Sequence, residues 1–324
     1  MSKLYIIGNG FDLAHGLKTE YKNFREYLLK IEEQFVYDLE RLYGFYPFDP
    51  DDYHIPLNLQ KEVLSQRNAM IEKQLWQSIE DRLGNPDEGE IQSICEAAAD
   101  GLKDIEFGVI EDTLNAHYED QFRFVERLQE YLLNWAKQID LSSATVKRNS
   151  LRNNSEDWFF TFNYTPVLEN VYGIQSPRIC HIHGGILSYD WNNRPVIGHG
   201  NSASIKQHEK WQRESADKYD EIGSSINKAF VNFYQRTYKD VDNAMLRHSA
   251  FFKQLKNLDE ISVIGHSVNK IDLPYYKKLY MYNPAAKWNV YYHVDKEKSK
   301  MAQRLREIGI RSCNIIPDKE FWDY

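Results

Sequence analysis

Four short apolar runs along this chain break abruptly into glycine, asparagine or histidine, a pattern that predicts buried strands delivering polar turns. Leu4-Tyr5-Ile6-Ile7 runs into Gly8-Asn9-Gly10-Phe11-Asp12, and Trp158-Phe159-Phe160-Thr161-Phe162 into Asn163-Tyr164-Thr165-Pro166. Ile179-Cys180-His181-Ile182 runs into His183-Gly184-Gly185, and Ile261-Ser262-Val263-Ile264 into Gly265-His266-Ser267. The spacing predicts strands over 4–7, 158–163, 178–183 and 260–265, a short one at 195–198, and two more at 287–294 and 310–316. Helices are expected from about 273 and over 296–308. Strands alternating with helices argue for an α/β fold, a Rossmann-like, doubly wound, mainly parallel sheet.

The residues between the first two strands read differently. Phe24, Tyr27, Leu28, Ile31, Phe35, Leu39 and Leu42 recur at helical spacing, then the turn-rich Tyr46-Pro47-Phe48-Asp49-Pro50-Asp51-Asp52 interrupts. A second helical pattern covers 57–83 and ends at Gly84-Asn85-Pro86. One long helix is expected over roughly 104–139, with Ile110, Leu114, Tyr118, Phe122, Val125, Leu128, Leu132, Trp135 and Ile139 on one stripe. Residues 20–140 are therefore too long for a simple crossover and read as a helical insertion, a cap or a separate bundle. Residues 145–155 read as a polar loop. A second insertion spans about 204–257 and ends in an amphipathic helix with Val241, Met245, His248, Phe252 and Leu255 on one face. The chain as a whole reads as a single α/β domain, 1–324, carrying two large helical insertions.

Composition narrows the classes. The 324 residues are 42% hydrophobic and 27% charged, ordinary for a globular chain. The 22 tyrosines favour amphipathic surfaces suited to partners or substrate. A net charge of −8 argues against nucleic acid or an anionic membrane as the default partner. No apolar run approaches the roughly 18 residues of a membrane span, and Met1-Ser2-Lys3 leads into a core strand rather than a secretory leader. Cys95, Cys180 and Cys313 lie far apart with no CxxC, which points to reduced thiols in the cytoplasm.

The polar turns hold the candidate chemistry, because open parallel sheets bind ligands beyond the carboxyl ends of their strands. Gly8 and Gly10 suit a close backbone approach to an anion, with the next helix aiming its positive end there. The strict dinucleotide fingerprint is not met: Leu13 stands at the third glycine position and Gly16 comes late. Asn163 can bond a ribose hydroxyl or a water, or support its own turn. Thr165 and Pro166 read as N-cap and first helical residue. His181 and His183 alternate on a strand and so share a face, a base with its neighbour, two metal ligands or a structural pair. A metal would need a third ligand such as Asp190 or His199. Ser267 fails the nucleophile elbow because position 269 is Asn, so it reads as a ribose or phosphate contact, with Asn269 and Asp272 capping the next element. His15 and His199 are loop candidates for the site, His248 reads as core, and His54, His117, His208 and His293 carry no special reading. No Walker A sequence is present.

The ordered set Gly8-Asn9-Gly10-Phe11-Asp12, Phe162-Asn163-Tyr164, His181-Ile182-His183-Gly184 and Gly265-His266-Ser267 resembles the AbiH family of bacterial abortive-infection proteins. AbiH proteins in turn look like distant relatives of sirtuin-type NAD-binding folds used in phage defence. In those relatives a glycine loop holds phosphates, the asparagine of T-x-N contacts the ribose, and the histidine of HG is the catalytic base. The resemblance implies that Gly8 and Gly10 match the loop, Thr161 and Asn163 the T-x-N, and His183-Gly184 the HG. It implies that Gly265 and Ser267 match a late strand end at the second ribose. Three departures stand out: Asn9 replaces a small alanine, Thr165 stands where an acid is common, and no zinc ribbon is present. The last speaks against protein deacetylation.

The expected function is an antiphage effector that hydrolyses NAD, as substrate and not resident cofactor, with Asn163 and His183 catalytic. Gly8, Asn9, Gly10, Phe11, Asp12, Thr161, Gly184, Gly265, His266, Ser267 and Asp272 would bind the nucleotide. Two alternatives remain: a non-catalytic nucleotide sensor or partner-binding defence protein, and a metal-dependent nuclease using His181, His183 and His199. A homo-oligomer or a phage-derived trigger are the further partners to expect.

Overall fold

The computed structural model describes residues 2–49, 55–100, 110–152, 156–187 and 195–323. Asp190, His54, residues 50–52 of the turn-rich patch and the 104–109 start of the long helix lie outside them. So do residues 153–155 of the polar loop. Contacts divide the chain into two compact units, Met1–Glu20 with Leu132–Val196 and Asp240–Tyr324, and Tyr21–Tyr131 with Ile197–Lys239.

The first unit contains one parallel sheet. Its strands are β1 (Lys3–Ile7), β2 (Trp158–Thr161), β3 (Ile179–His181), β4 (Glu260–Ile264), β5 (Lys287–Tyr292) and β6 (Asn314–Pro317), in the order β3-β2-β1-β4-β5-β6. This is the order of a doubly wound, Rossmann-like sheet, whose direction of winding switches between β1 and β4. The central strands are largely apolar because both faces are covered. Leu4, Ile6, Phe160, Ile261, Val263, Trp288 and Val290 pack on one face with Phe252, Tyr275, Tyr276, Leu279 and Leu305. Tyr5, Ile7, Phe159 and Ile264 pack on the other with Phe11, Leu17, Val167, Leu168, Tyr172 and Phe321.

Register sets the working edge. His181, Thr161, Ile7 and Ile264 lie side by side across β3, β2, β1 and β4. The turns after those residues therefore leave the sheet at one level. β3 stops at His181, not at residue 183, because its neighbour β2 stops at Thr161. No strand forms at 195–198; an isolated bridge pairs His199 with Tyr238.

Among the described residues the second unit is helical and carries no strand of the sheet. The expected 104–139 helix is broken: Ile110–Phe122 and Arg127–Lys137 are α-helical, with a 3-10 turn at Arg123–Glu126 between them. The stripe itself explains the break, since Phe122, Val125 and Leu128 are spaced by three, the period of a 3-10 turn. The 57–83 pattern divides in the same way into Leu57–Gln74, a 3-10 turn and Ile79–Leu83, and Glu88–Asp100 adds a helix not separately expected. Arg25 and Glu40 form a buried ion pair at 2.6 Å, and the Trp76 indole donates to the same carboxylate at 2.8 Å. In the first unit the 241–255 pattern is two helices, Val241–Arg247 and Ser249–Gln254, parted at His248. No helix among the described residues is long and apolar enough to cross a membrane.

Candidate functional site

At the switch of strand order the backbone of the first turn lies directly on the end of β4. The Gly8 N–H donates to the Ile264 carbonyl at 3.0 Å and the Gly10 N–H to the Gly265 carbonyl at 2.8 Å. A Cβ on Gly8 would sit 2.7 Å from the Gly265 oxygen and the His266 Cα. Gly265 has φ +66°, and a Cβ there would sit 2.3 Å from the Phe11 nitrogen. These glycines let two backbone segments touch. Gly8 and Gly10 do not cradle an anion with their own N–H groups, which already donate to the Ile264 and Gly265 carbonyls. Asn9 is exposed, and its side chain donates to the Thr19 carbonyl at 2.9 Å. Phe11 is fully buried against His15, Tyr172 and Trp322, so it is core rather than a ligand contact. His15 is tied at both ring nitrogens, to the Phe11 carbonyl at 2.7 Å and the Tyr172 hydroxyl at 2.8 Å. Burial lowers its pKa and keeps it neutral.

Asn163, two residues past the end of β2, is bound from several sides. Its backbone N–H donates to Thr161 Oγ1 at 3.0 Å, and its side-chain Nδ2 donates to the Gly8 carbonyl at 3.2 Å and to Asp12 Oδ1 at 2.8 Å. The Thr165 hydroxyl donates to the other Asp12 oxygen. Thr165 is therefore not an N-cap: the next helix, Val167–Asn170, starts after Pro166 without a side-chain cap. Asp12 is 1% exposed, and burial pushes its carboxyl up to about 7, against the lowering pull of the Thr165 and Asn163 hydrogen bonds and of the His181 charge.

The two histidines of the third motif do not share an environment. His181 Nδ1 donates to the Asn163 carbonyl at 2.8 Å and Nε2 lies 3.0 Å from Glu169 Oε1. Both nitrogens are engaged, and the Nε2 contact needs a proton between imidazole and carboxyl. His183 lies past the strand end, in the turn closed by Gly184, whose N–H donates to the His181 carbonyl at 3.0 Å. The alternation expected to put both rings on one face therefore does not hold. His183 is 3% exposed and its Nε2 lies 3.6 Å from Asp272 Oδ1. His266 Nε2 lies 3.3 Å from the other Asp272 oxygen. His266 Nδ1 accepts from the Val268 N–H at 3.0 Å and meets the Tyr276 hydroxyl at 2.7 Å, which leaves the ring proton on Nε2, facing Asp272. The Phe162 ring stacks on His266 at 4.0 Å and meets His183 edge-on at 5.0 Å. Asp272 bridges two imidazoles where a cap was expected, and neither it nor Asn269 caps a helix with its side chain. Ser267 is exposed, and its carbonyl accepts from Arg304 at 3.2 Å.

Gly8, Asp12, Thr161, Asn163, His181, His183, Gly265, His266 and Asp272 thus meet at one edge of the sheet. Glu169 and Tyr276 join them without having been singled out, as do Thr165 in its contact with Asp12 and Phe162 in its contacts with His183 and His266. Tyr276 left a signal in its spacing, four residues beyond Asp272. His199 belongs to the other unit and is built into it: its Nδ1 accepts from the Asn201 N–H at 2.9 Å and its Nε2 donates to the Tyr234 carbonyl at 3.0 Å. No group of three His, Cys, Asp or Glu side chains among the described residues is arranged to hold a metal ion.

Nothing among curated proteins and nothing among solved structures matches the chain. A kinship with sirtuin-type folds rests on the sequence segments alone. The family described as bacteriophage abortive infection AbiH matches residues 4–292, which takes in every segment that builds this edge of the sheet. With that match over most of its 324 residues, the chain belongs to the AbiH family, and with it to the proteins of abortive-infection defence.

Proposed function

We propose that this abortive-infection protein acts on NAD or a related nucleotide, hydrolysing the bond between nicotinamide and ribose. One observation carries the reading: Gly8, Asn163, His183, His266 and Asp272 meet where the winding of the sheet reverses, the place at which open α/β sheets bind nucleotides. As the glycosidic bond lengthens, the ribose gains oxocarbenium character and nicotinamide leaves as a neutral base. Water supplies the new carbon–oxygen bond and its proton passes to His183, which Asp272 orients. Base action of this kind contributes ~10²–10⁴-fold. Asn163 orients the water or a ribose hydroxyl through Oδ1, since both amide hydrogens are directed elsewhere. The pyrophosphate is met by groups other than the Gly8 and Gly10 N–H. A phage-derived trigger or self-association switches the activity on.

Purified protein is incubated with NAD, with and without lysate of phage-infected cells, and nicotinamide is followed by chromatography. Release that His183→Ala and Asn163→Ala abolish supports the reading. No release under either condition defeats it. The near-complete burial of His183 favours a second reading, a sensor that binds a nucleotide without turning it over. Intact nucleotide recovered from the denatured protein, with no nicotinamide formed, selects that reading.

A further inference from the structure

We infer that Asp12 is a positioning residue that holds the Asn163 amide in one orientation, with both N–H groups directed inward and Oδ1 left for a ligand. The inference rests on Asn163 being the ligand-facing amide of the proposed site. An amide side chain has two donor hydrogens and one acceptor oxygen. Asn163 Nδ2 meets two groups that only accept, the Gly8 carbonyl at 3.2 Å and an Asp12 carboxylate oxygen at 2.8 Å. Turning the amide over would set its oxygen against both acceptors. The Thr165 hydroxyl holds the second Asp12 oxygen, so the carboxylate does not rotate away. Asn163 Oδ1 takes no donor among the described residues.

The placement is costly for the fold, which supports a role other than packing. Asp12 is 1% exposed, and no lysine or arginine among the described residues forms an ion pair with it. The charged group that acts on it is His181 from β3, itself backed by Glu169 from the helix Val167–Asn170. Both oxygens of Asp12 are occupied by Asn163 and Thr165, so it does not bind nucleotide directly as the sequence led us to expect. Protonation changes its task. An acid proton on the oxygen facing Asn163 makes that oxygen a donor and removes its preference for the amide nitrogen.

The test uses the full chain, ¹⁵N-labelled and ligand-free, with the side-chain amide of Asn163 followed against pH. In the wild type that amide should shift with a midpoint near 7, the value to which burial raises Asp12. In Asp12→Asn the titration should vanish while the melting temperature at pH 8 is no lower than that of the wild type. Thr165→Val, which removes one hydrogen bond to the carboxylate, should move the midpoint upward. An amide that does not titrate in the folded wild type, or that titrates unchanged in Asp12→Asn, overturns the inference. A second arm measures nicotinamide release, where Asp12→Asn should lower kcat by roughly a hundredfold with little change in KM. If the wild type releases no nicotinamide, the NAD reading fails and the spectroscopic arm alone decides the role of Asp12.

Discussion

Gly10 and Gly265 touch backbone to backbone: the Gly10 N–H donates to the Gly265 carbonyl at 2.8 Å, and a Cβ on Gly265 would fall 2.6 Å from the Gly10 carbonyl carbon. Gly265 also holds φ +66°, so an alanine there meets both a collision and a strained backbone. Gly265→Ala should cost at least ~3 kcal/mol. Gly16→Ala is the control: φ is +79° but nothing lies within 4 Å, so only the backbone term of about 1 kcal/mol remains. Urea melts of the two variants, side by side, measure the difference; equal losses would contradict the contact.

Asn163→Asp sets a second carboxylate against Asp12 in place of a donor 2.8 Å away. Two buried like charges raise each other's pKa, so the native state takes up protons that the unfolded chain has released. Stability should therefore fall as pH rises from about 4, reaching a loss of roughly 3–5 kcal/mol at pH 8. Thermal melts at pH 5 and pH 8 provide the comparison, and a variant hurt equally at both values would rule out charge repulsion as the cause.

His199 gives the second unit an acid limit. Burial lowers its pKa from 6.5 to about 4, against the raising pull of the hydrogen bond to the Tyr234 carbonyl. The unfolded chain takes up the proton at higher pH, so this stability is complete above 6.5 and is lost as pH falls toward 4. The slope across that window is about 1.4 kcal/mol per pH unit. His199→Gln should be less stable at neutral pH and should lack this part of the slope. Matching slopes in the two proteins would assign acid sensitivity to other groups.

The three thiols should separate by reactivity. Cys95 is fully buried and its thiol is pushed up to about 12 by burial, while Cys180 is buried and raised further still. Cys313 is only partly buried, and Arg306 moderates the rise that burial causes. Iodoacetamide at pH 8 should therefore label Cys313 well before the other two, as read by peptide mass spectrometry. Denaturation should make all three equal, and early labelling of Cys180 would mean that the sheet opens readily.

Much of the fold can be read along the chain because its causes are local. Leu4–Ile7, Trp158–Phe160 and, apart from Ser262, Ile261–Ile264 are apolar runs, and a sheet covered on both faces buries such runs. Glycine at 8, 10 and 265 marks the turns, and the alternation of strands with helices gives a parallel sheet. Those same turns carry the family signature, so the family too was present in the order of residues.

The partners of the site residues were not readable in this way. Thr165 looks like a helix cap in sequence, but its hydroxyl bonds Asp12, 153 positions away. Asp272 looks like another cap and instead bridges His183 and His266. His183 seemed to belong to a strand whose end was set by β2, the neighbouring strand, which runs out at Thr161. Periodicity reports which face of its own element a residue occupies. Hydrogen-bond partners and the pKa of Asp12 depend on which strand ends lie at one level, and that register exists only once the sheet has assembled.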